Sequence, residues 1–292
     1  MNEPAVRAAH LRKTFGSRAV LDDLTFDIQP GEVVGVLGKN GAGKTTLLEI
    51  MLGYTTPTSG HVRVFGRDSH ALPGEIKRRV GYVPQQDELL NHLSVAEQLR
   101  VIASFHRHWD DELVARLCAA WGVDPRARIK SMSVGERQKL SILLAFGHRP
   151  DLLILDEPVA SLDPVARRQF LEQLVEMSTE RQRSIVFSTH IVSDIERLAT
   201  RVWILKEGRL CWAGDLESLK ESVSRLHIRG AGNAAAALEI PGVINQRAQG
   251  QSVIAVVRDW SPAIQQEFER RYSAEVTQEP LGLEEIFLEL HR

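Results

Sequence analysis

The sequence predicts an α/β fold, a parallel sheet with covering helices, followed by a small α+β domain. Three observations carry this. A strand-like run, Glu32–Leu37, passes through a glycine-rich turn into a helix-like run, Thr45–Leu52. Three more apolar runs, Arg79–Pro84, Leu152–Leu155 and Ser184–Thr189, have the near-continuous apolar character of buried parallel strands, and each is followed by polar residues. After about Leu219 the pattern changes to short strands and helices in the order β-α-β-β-α-β, a ferredoxin-like succession.

At 292 residues the chain is long enough for one large domain and a smaller one. A net charge of -2 offers no global attraction to nucleic acid or anionic lipid. No apolar run reaches the roughly 18 residues that span a bilayer, and Met1–Arg7 has no apolar signal region, so a cytoplasmic chain is expected. Cys118 and Cys211 fit no zinc spacing and read as reduced thiols packed in the core.

The glycine-rich turn is the first chemical motif. Gly38-Lys39-Asn40-Gly41-Ala42-Gly43-Lys44-Thr45 matches G-x-x-x-x-G-K-[ST], the phosphate loop of nucleotide triphosphatases, in the strand–loop–helix setting that motif requires. Glycines let backbone N–H groups turn inward around phosphate oxygens, and the helix N-terminus adds partial positive charge there. Gly38, Asn40, Gly41, Gly43, Lys44, Thr45 and Thr46 are the candidate nucleotide contacts. Lys44 would reach the β- and γ-phosphates, and the Thr45 hydroxyl would hold Mg²⁺.

The other strand ends supply the chemistry. Leu152–Leu155 runs into Asp156-Glu157, the shape of a Mg²⁺-binding carboxylate motif. Asp156 would hold the metal through water, and Glu157 would polarise the attacking water. Arg79–Pro84 is followed by Gln85-Gln86, and Ser184–Thr189 by His190. In an open parallel sheet, ligands bind beyond the carboxyl ends of the strands, so these groups are expected to converge on one nucleotide.

At Ser133-Val134-Gly135-Glu136-Arg137 the chain resembles the ATP-binding subunit of an ABC transporter. That family carries an L-S-G-G-Q-like stretch between the phosphate loop and the acidic strand, here Met132–Glu136, with Val134 in place of a glycine and Glu136 in place of glutamine. The resemblance covers about residues 5–218 with the family's motifs in order. It implies a phosphate-loop NTPase core with an N-terminal antiparallel β-subdomain and a helical subdomain over about 87–149. It implies that Phe15 stacks on adenine, that Gln85 touches Mg²⁺ and senses the membrane partner, and that Asp163 in Ser161-Leu162-Asp163 contacts the other subunit. His190 would be the switch histidine. Two copies, or one copy and a paralogue, would face head to tail, each ATP lying between one phosphate loop and Ser133 and Gly135 of the other copy. The implied partner is an integral membrane permease that exports a substrate, with the chain peripheral on the inner face of the membrane. Val159 stands where threonine is more usual, with no mechanism attached.

The remaining segments read as scaffold. Ser94–Glu97 has the spacing of a capping box. Pro164–Met177 is an amphipathic helix with Phe170, Leu171, Leu174 and Met177 on one side. Ser104–Trp109 is aromatic and basic, either a partner surface or a solvated helix end, and His106 and His108 are expected to be solvated. In the second domain, residues 219–292, strands are expected at Leu226–Ile228, Val243–Arg247, Ser252–Arg258 and Glu275–Gln278. Helices are expected at Asn233–Glu239 and Pro262–Tyr272, and a last one carries Leu283, Ile286, Phe287 and Leu290 at i, i+3, i+4, i+7. The Leu283–Leu288 ending resembles those of exporter-type subunits, and a packed, dimer-stabilising tail is expected. The alternative function is a soluble ABC ATPase acting on nucleic acid or ribosomes. Residues 219–292 hold 8 Lys/Arg against 10 Asp/Glu, no basic footprint, so no nucleic acid is expected as a partner.

Overall fold

The computed structural model describes residues 3–179, 183–230, 238–249 and 252–292. It divides into two compact units, 1–213 and 214–292.

In chain order the first unit begins β1 (Val6–Phe15), β2 (Arg18–Ile28), β3 (Val33–Leu37), α1 (Lys44–Leu52), β4 (Ser59–Val64), β5 (Arg67–Asp68) and α2 (Gly74–Lys77). It continues β6 (Val80–Val83), α3 (Val95–Ala103), α4 (Asp111–Trp121), α5 (Val134–Phe146) and β7 (Leu152–Asp156). The last elements are α6 (Pro164–Thr179), β8 (Ser184–Thr189), α7 (Val192–Leu198), β9 (Arg201–Lys206) and β10 (Arg209–Asp215). The central sheet has the order β10-β9-β3-β8-β7-β6. Its pairs β9-β3, β3-β8, β8-β7 and β7-β6 are parallel. Every residue of β3, β7 and β8 is buried, as a sheet covered on both faces requires.

A second sheet, β2-β1-β4-β5, is antiparallel throughout. One apolar core joins it to the central sheet: Val6 and Leu24 pack in a cluster with Val36, Leu47, Ile154 and Trp203. This anchors α1, and with it the phosphate loop, between the two sheets.

The segment between β6 and β7 is helical. Ser94 caps α3 with the expected box, its hydroxyl accepting from Glu97 N–H and Glu97 reaching back to Ser94 N–H. His108 is exposed as expected, but His106 is half-buried and stacks on His148 with ring centroids 4.0 Å apart. That corrects the solvated reading. The partner histidine lies 42 positions on, where no local pattern signals it.

The second unit contains α8 (Leu216–Ser222), β11 (Val223–Arg229), β12 (Val243–Gln249), β13 (Ser252–Arg258), α9 (Pro262–Tyr272), β14 (Glu275–Pro280) and α10 (Leu283–Leu290). Its sheet order, β12-β13-β11-β14, is antiparallel and is that of a ferredoxin-like unit. Of the helix expected over Asn233–Glu239, residues 233–237 lie outside the described residues. On α10, Leu283 and Ile286 are buried, and Glu289 is buried beside them, accepting hydrogen bonds from Asn245 and Arg292. Among the described residues no helix is long and apolar enough to cross a membrane.

Candidate active site

β3 ends at Leu37, and the chain turns through 38–43 into α1. Gly43 stands at the N-terminus of α1 with φ +106°, and a Cβ there would lie 2.8 Å from the Val20 carbonyl oxygen. Only glycine fits both demands. The turn opens a cavity of about 410 Å³ lined by Asn40, Gly41, Gly43, Lys44, Thr45 and Thr46 from the loop and helix, with Gln85 and Glu157 from two other strand ends. Gln85 lines it and Gln86 does not. Arg18 and Val20, which the sequence reading passed over, complete the wall. They enter from β2, whose approach to the loop only the folded chain reveals.

Lys44 is buried, and its ammonium donates to the Gly38 carbonyl at 2.8 Å. The same nitrogen lies 3.4 Å from Glu157 Oε1. The other oxygen of Glu157, Oε2, is 2.8 Å from His190 Nδ1. Glu157 is buried while His190 is half exposed, so the imidazole reaches the carboxylate from the solvent side. Glu157 has φ +48°, a left-handed conformation costly for a residue with a side chain.

Asp156 is fully buried. Its Oδ1 accepts from the Ser188 hydroxyl at 2.5 Å, and that hydroxyl oxygen accepts from Glu157 N–H at 2.8 Å. Asp156 Oδ2 is buried with no hydrogen-bond partner. A buried carboxylate oxygen left over at the end of β7 fits a hard cation, which takes oxygen ligands of this kind. Asp156 does not itself line the cavity.

The remaining predicted residues stand elsewhere. Phe15 is 52% exposed at the end of β1 and does not line the cavity; one face of its ring is covered by Lys13 Nζ, 4.6 Å from the centroid. Ser133 and Gly135 are not brought to the phosphate loop of their own chain. Ser133 instead caps α5: its hydroxyl donates to Glu136 Oε2 at 2.7 Å and accepts from Glu136 N–H at 3.3 Å. The Ser133 hydroxyl first, and then the Ser133 N–H, which donates to the same Oε2 at 2.8 Å, hold the Glu136 carboxyl below the usual range. The glutamate is thus half of a capping box, a spacing legible in Ser133–Glu136. Val134 is exposed, while a Cβ on Gly135 would lie 3.1 Å from the Ser161 carbonyl oxygen. Asp163 caps α6, accepting from Ala166 and Val165 N–H at 3.0 and 2.9 Å, and the Ala166 bond leads in holding its carboxyl low.

Two contacts tie α5 to the strand ends, one beyond Glu157 and one beyond Gln85. Gln138 on α5 donates to the Pro158 carbonyl, one residue beyond Glu157, at 3.1 Å. Arg137 forks onto Asp87, two residues beyond Gln85, with Nε 3.0 Å from Oδ2.

A parallel sheet that presents a phosphate loop, an acidic pair and a histidine at neighbouring strand ends defines a phosphate-loop nucleotide triphosphatase. Residues 21–160 match the model of the ABC transporter family. Nod factor export ATP-binding protein I of Burkholderia thailandensis is 32% identical over 289 residues, covering 96% of this chain and 94% of that protein. The solved ATP-binding subunit of an ABC transporter superimposes with a TM-score of 0.68 at 29% identity, over 74% of this chain and 92% of that one. A dimeric ATP-binding cassette bound to ADP and Pi has the same fold, with a TM-score of 0.65 at 23% identity over 72% of this chain and 98% of that one. The chain belongs to the ABC transporter family as an ATP-binding, ATP-hydrolysing subunit.

Proposed function

We propose that this ATPase dimerises around two ATP molecules and drives export through a separate membrane-spanning permease. The observation that carries the catalytic part is the buried Glu157 carboxylate, held between Lys44 and His190 in the cavity of the phosphate loop. Glu157 orients the attacking water and accepts its proton, and His190 fixes the carboxylate from the solvent side. Lys44 leaves the Gly38 carbonyl to meet the β/γ-phosphates, and the loop N–H groups at the start of α1 cradle them. Mg²⁺, when bound, neutralises charge between those phosphates. Thr45, Gln85 and Asp156 would hold it. Phe15 offers a ring face to the adenine.

The trans arrangement of Ser133 and Gly135 is supported by the fact that neither lines the cavity of its own chain and by the dimeric cassette of the same fold. Asp163 completes the contact with the opposite copy. Export is supported by the similarity to Nod factor export ATP-binding protein I along nearly the whole chain. In this reading residues 1–218 are the ATPase domain, 87–149 its permease-facing helical part, and 219–292 a tail that stabilises the dimer. The chain is cytoplasmic and reaches the inner face of the membrane through the permease.

One experiment tests the whole reading. A tagged Glu157→Gln chain, expressed in its native cell and purified with ATP, should keep ATP bound and lose turnover by about 10²–10⁴-fold. It should carry with it a protein with several membrane spans. Recovery of ribosomes or RNA instead, or near-normal hydrolysis, would overturn the reading.

A further inference from the structure

The geometry points to Ser188 as a positioning residue that sets both acids of the site. This rests on the roles proposed for Asp156 and Glu157.

The parallel register of β7 and β8 places Ser188 directly beside Asp156. Both are fully buried. A serine hydroxyl has one proton and two lone pairs. The Glu157 N–H must donate, so at 2.8 Å the Ser188 oxygen is its acceptor. The hydroxyl proton then goes to Asp156 Oδ1, 2.5 Å away. One side chain thereby does two things. It engages Oδ1 and leaves the buried Oδ2 as the one Asp156 oxygen without a partner, favouring that atom for a cation. It also holds the amide of Glu157, whose left-handed backbone at φ +48° needs an external restraint.

The same strand end holds the other end of Glu157. His190, two residues beyond Ser188, meets Oε2 at 2.8 Å. Glu157 is therefore gripped at its backbone by Ser188 and at its carboxylate by His190, both carried at the end of β8. Alanine at 188 would leave a buried amide unsatisfied and let the Asp156 carboxylate rotate.

The test uses the full chain and the variants Ser188→Ala and Ser188→Thr, the latter keeping a hydroxyl. Loss of such an outer-shell partner typically costs about 10–100-fold in metal affinity or activity. Ser188→Ala should lower kcat and raise the Mg²⁺ concentration for half-maximal activity, each by about tenfold or more. Calorimetry with a non-hydrolysable ATP analogue should give an affinity within about twofold of wild type in EDTA, and a lost gain in affinity when Mg²⁺ is added. Ser188→Thr should recover much of both. Unchanged kcat and Mg²⁺ dependence in Ser188→Ala would overturn the assignment. So would an equal loss of analogue affinity with and without Mg²⁺, which marks a structural role only. If Asp156→Asn and Glu157→Gln are themselves active, the reading beneath it fails instead.

Discussion

The ammonium of Lys44 stands 3.4 Å from a carboxylate oxygen of Glu157, and both side chains are more than nine-tenths buried. The two come from different strand ends, Lys44 from the loop after β3 and Glu157 from the end of β7. Each is the other's counter-charge in a place with little water to screen them. In the proposed reading, a γ-phosphate entering this cavity would compete with Glu157 for the same lysine.

Lys44→Ala should therefore weaken ATP binding by about 1.5–3 kcal/mol, the scale of a hydrogen bond to a charged group. It should also leave the Glu157 carboxylate without its lysine counter-charge, His190 remaining at Oε2. Calorimetric titration with ATP measures the loss; unchanged affinity would contradict the phosphate-loop role.

Ser133 and Gly135 should act on ATP held by the other copy. Mixing an excess of a Ser133→Arg chain with a Lys44→Ala chain gives heterodimers in which, for trans sites, both defects fall on one site and the other is intact. Activity above the sum of the separate mutants is the expected result. No recovery, with heterodimers demonstrated, would favour sites built within one chain. Arginine at 133 breaks the capping box with Glu136 as well, so its folding should be checked by a thermal melt.

Acid should destabilise the fold partly through His148. Burial first, and the neighbouring His106 second, hold its imidazole at about 4 against an ordinary 6.5. The unfolded chain takes up a proton there before the folded chain does, so stability is full above 6.5 and is lost as pH falls toward 4. The loss at the acid limit is on the order of 3 kcal/mol. His148→Phe, which can still stack on His106, should show a smaller drop in melting temperature between about pH 7.5 and about pH 5 than the wild type. Equal drops would mean that His148 does not cause this acid sensitivity.

Much of the site was legible because its parts are short in sequence. A strand, a glycine-rich turn and a helix at 32–52 need no distant information, and neither does an apolar run ending in Asp156-Glu157. The function of the first depends on backbone geometry that glycines encode locally, as Gly43 does at the head of α1. Ser188 escaped notice because its meaning depends on which strands are neighbours, and β7 and β8 are joined only by folding. Arg18 and the His106–His148 stack are nonlocal in the same sense. The Ser133–Glu136 box was different. Its spacing is local, but the same residues match a family motif whose last position is usually glutamine, and that match obscured the capping chemistry.

The in-register pairing of Asp156 with Ser188 constrains how such a chain can change in length. A strand alternates its faces residue by residue, so deleting one position from the start of β8 would shift Ser188 and His190 together and turn both away from the face that meets Glu157. Both restraints on Glu157 would vanish in one event. Substitution can retune the candidate site one side chain at a time, whereas a single-residue deletion at the start of β8 removes both of these restraints together.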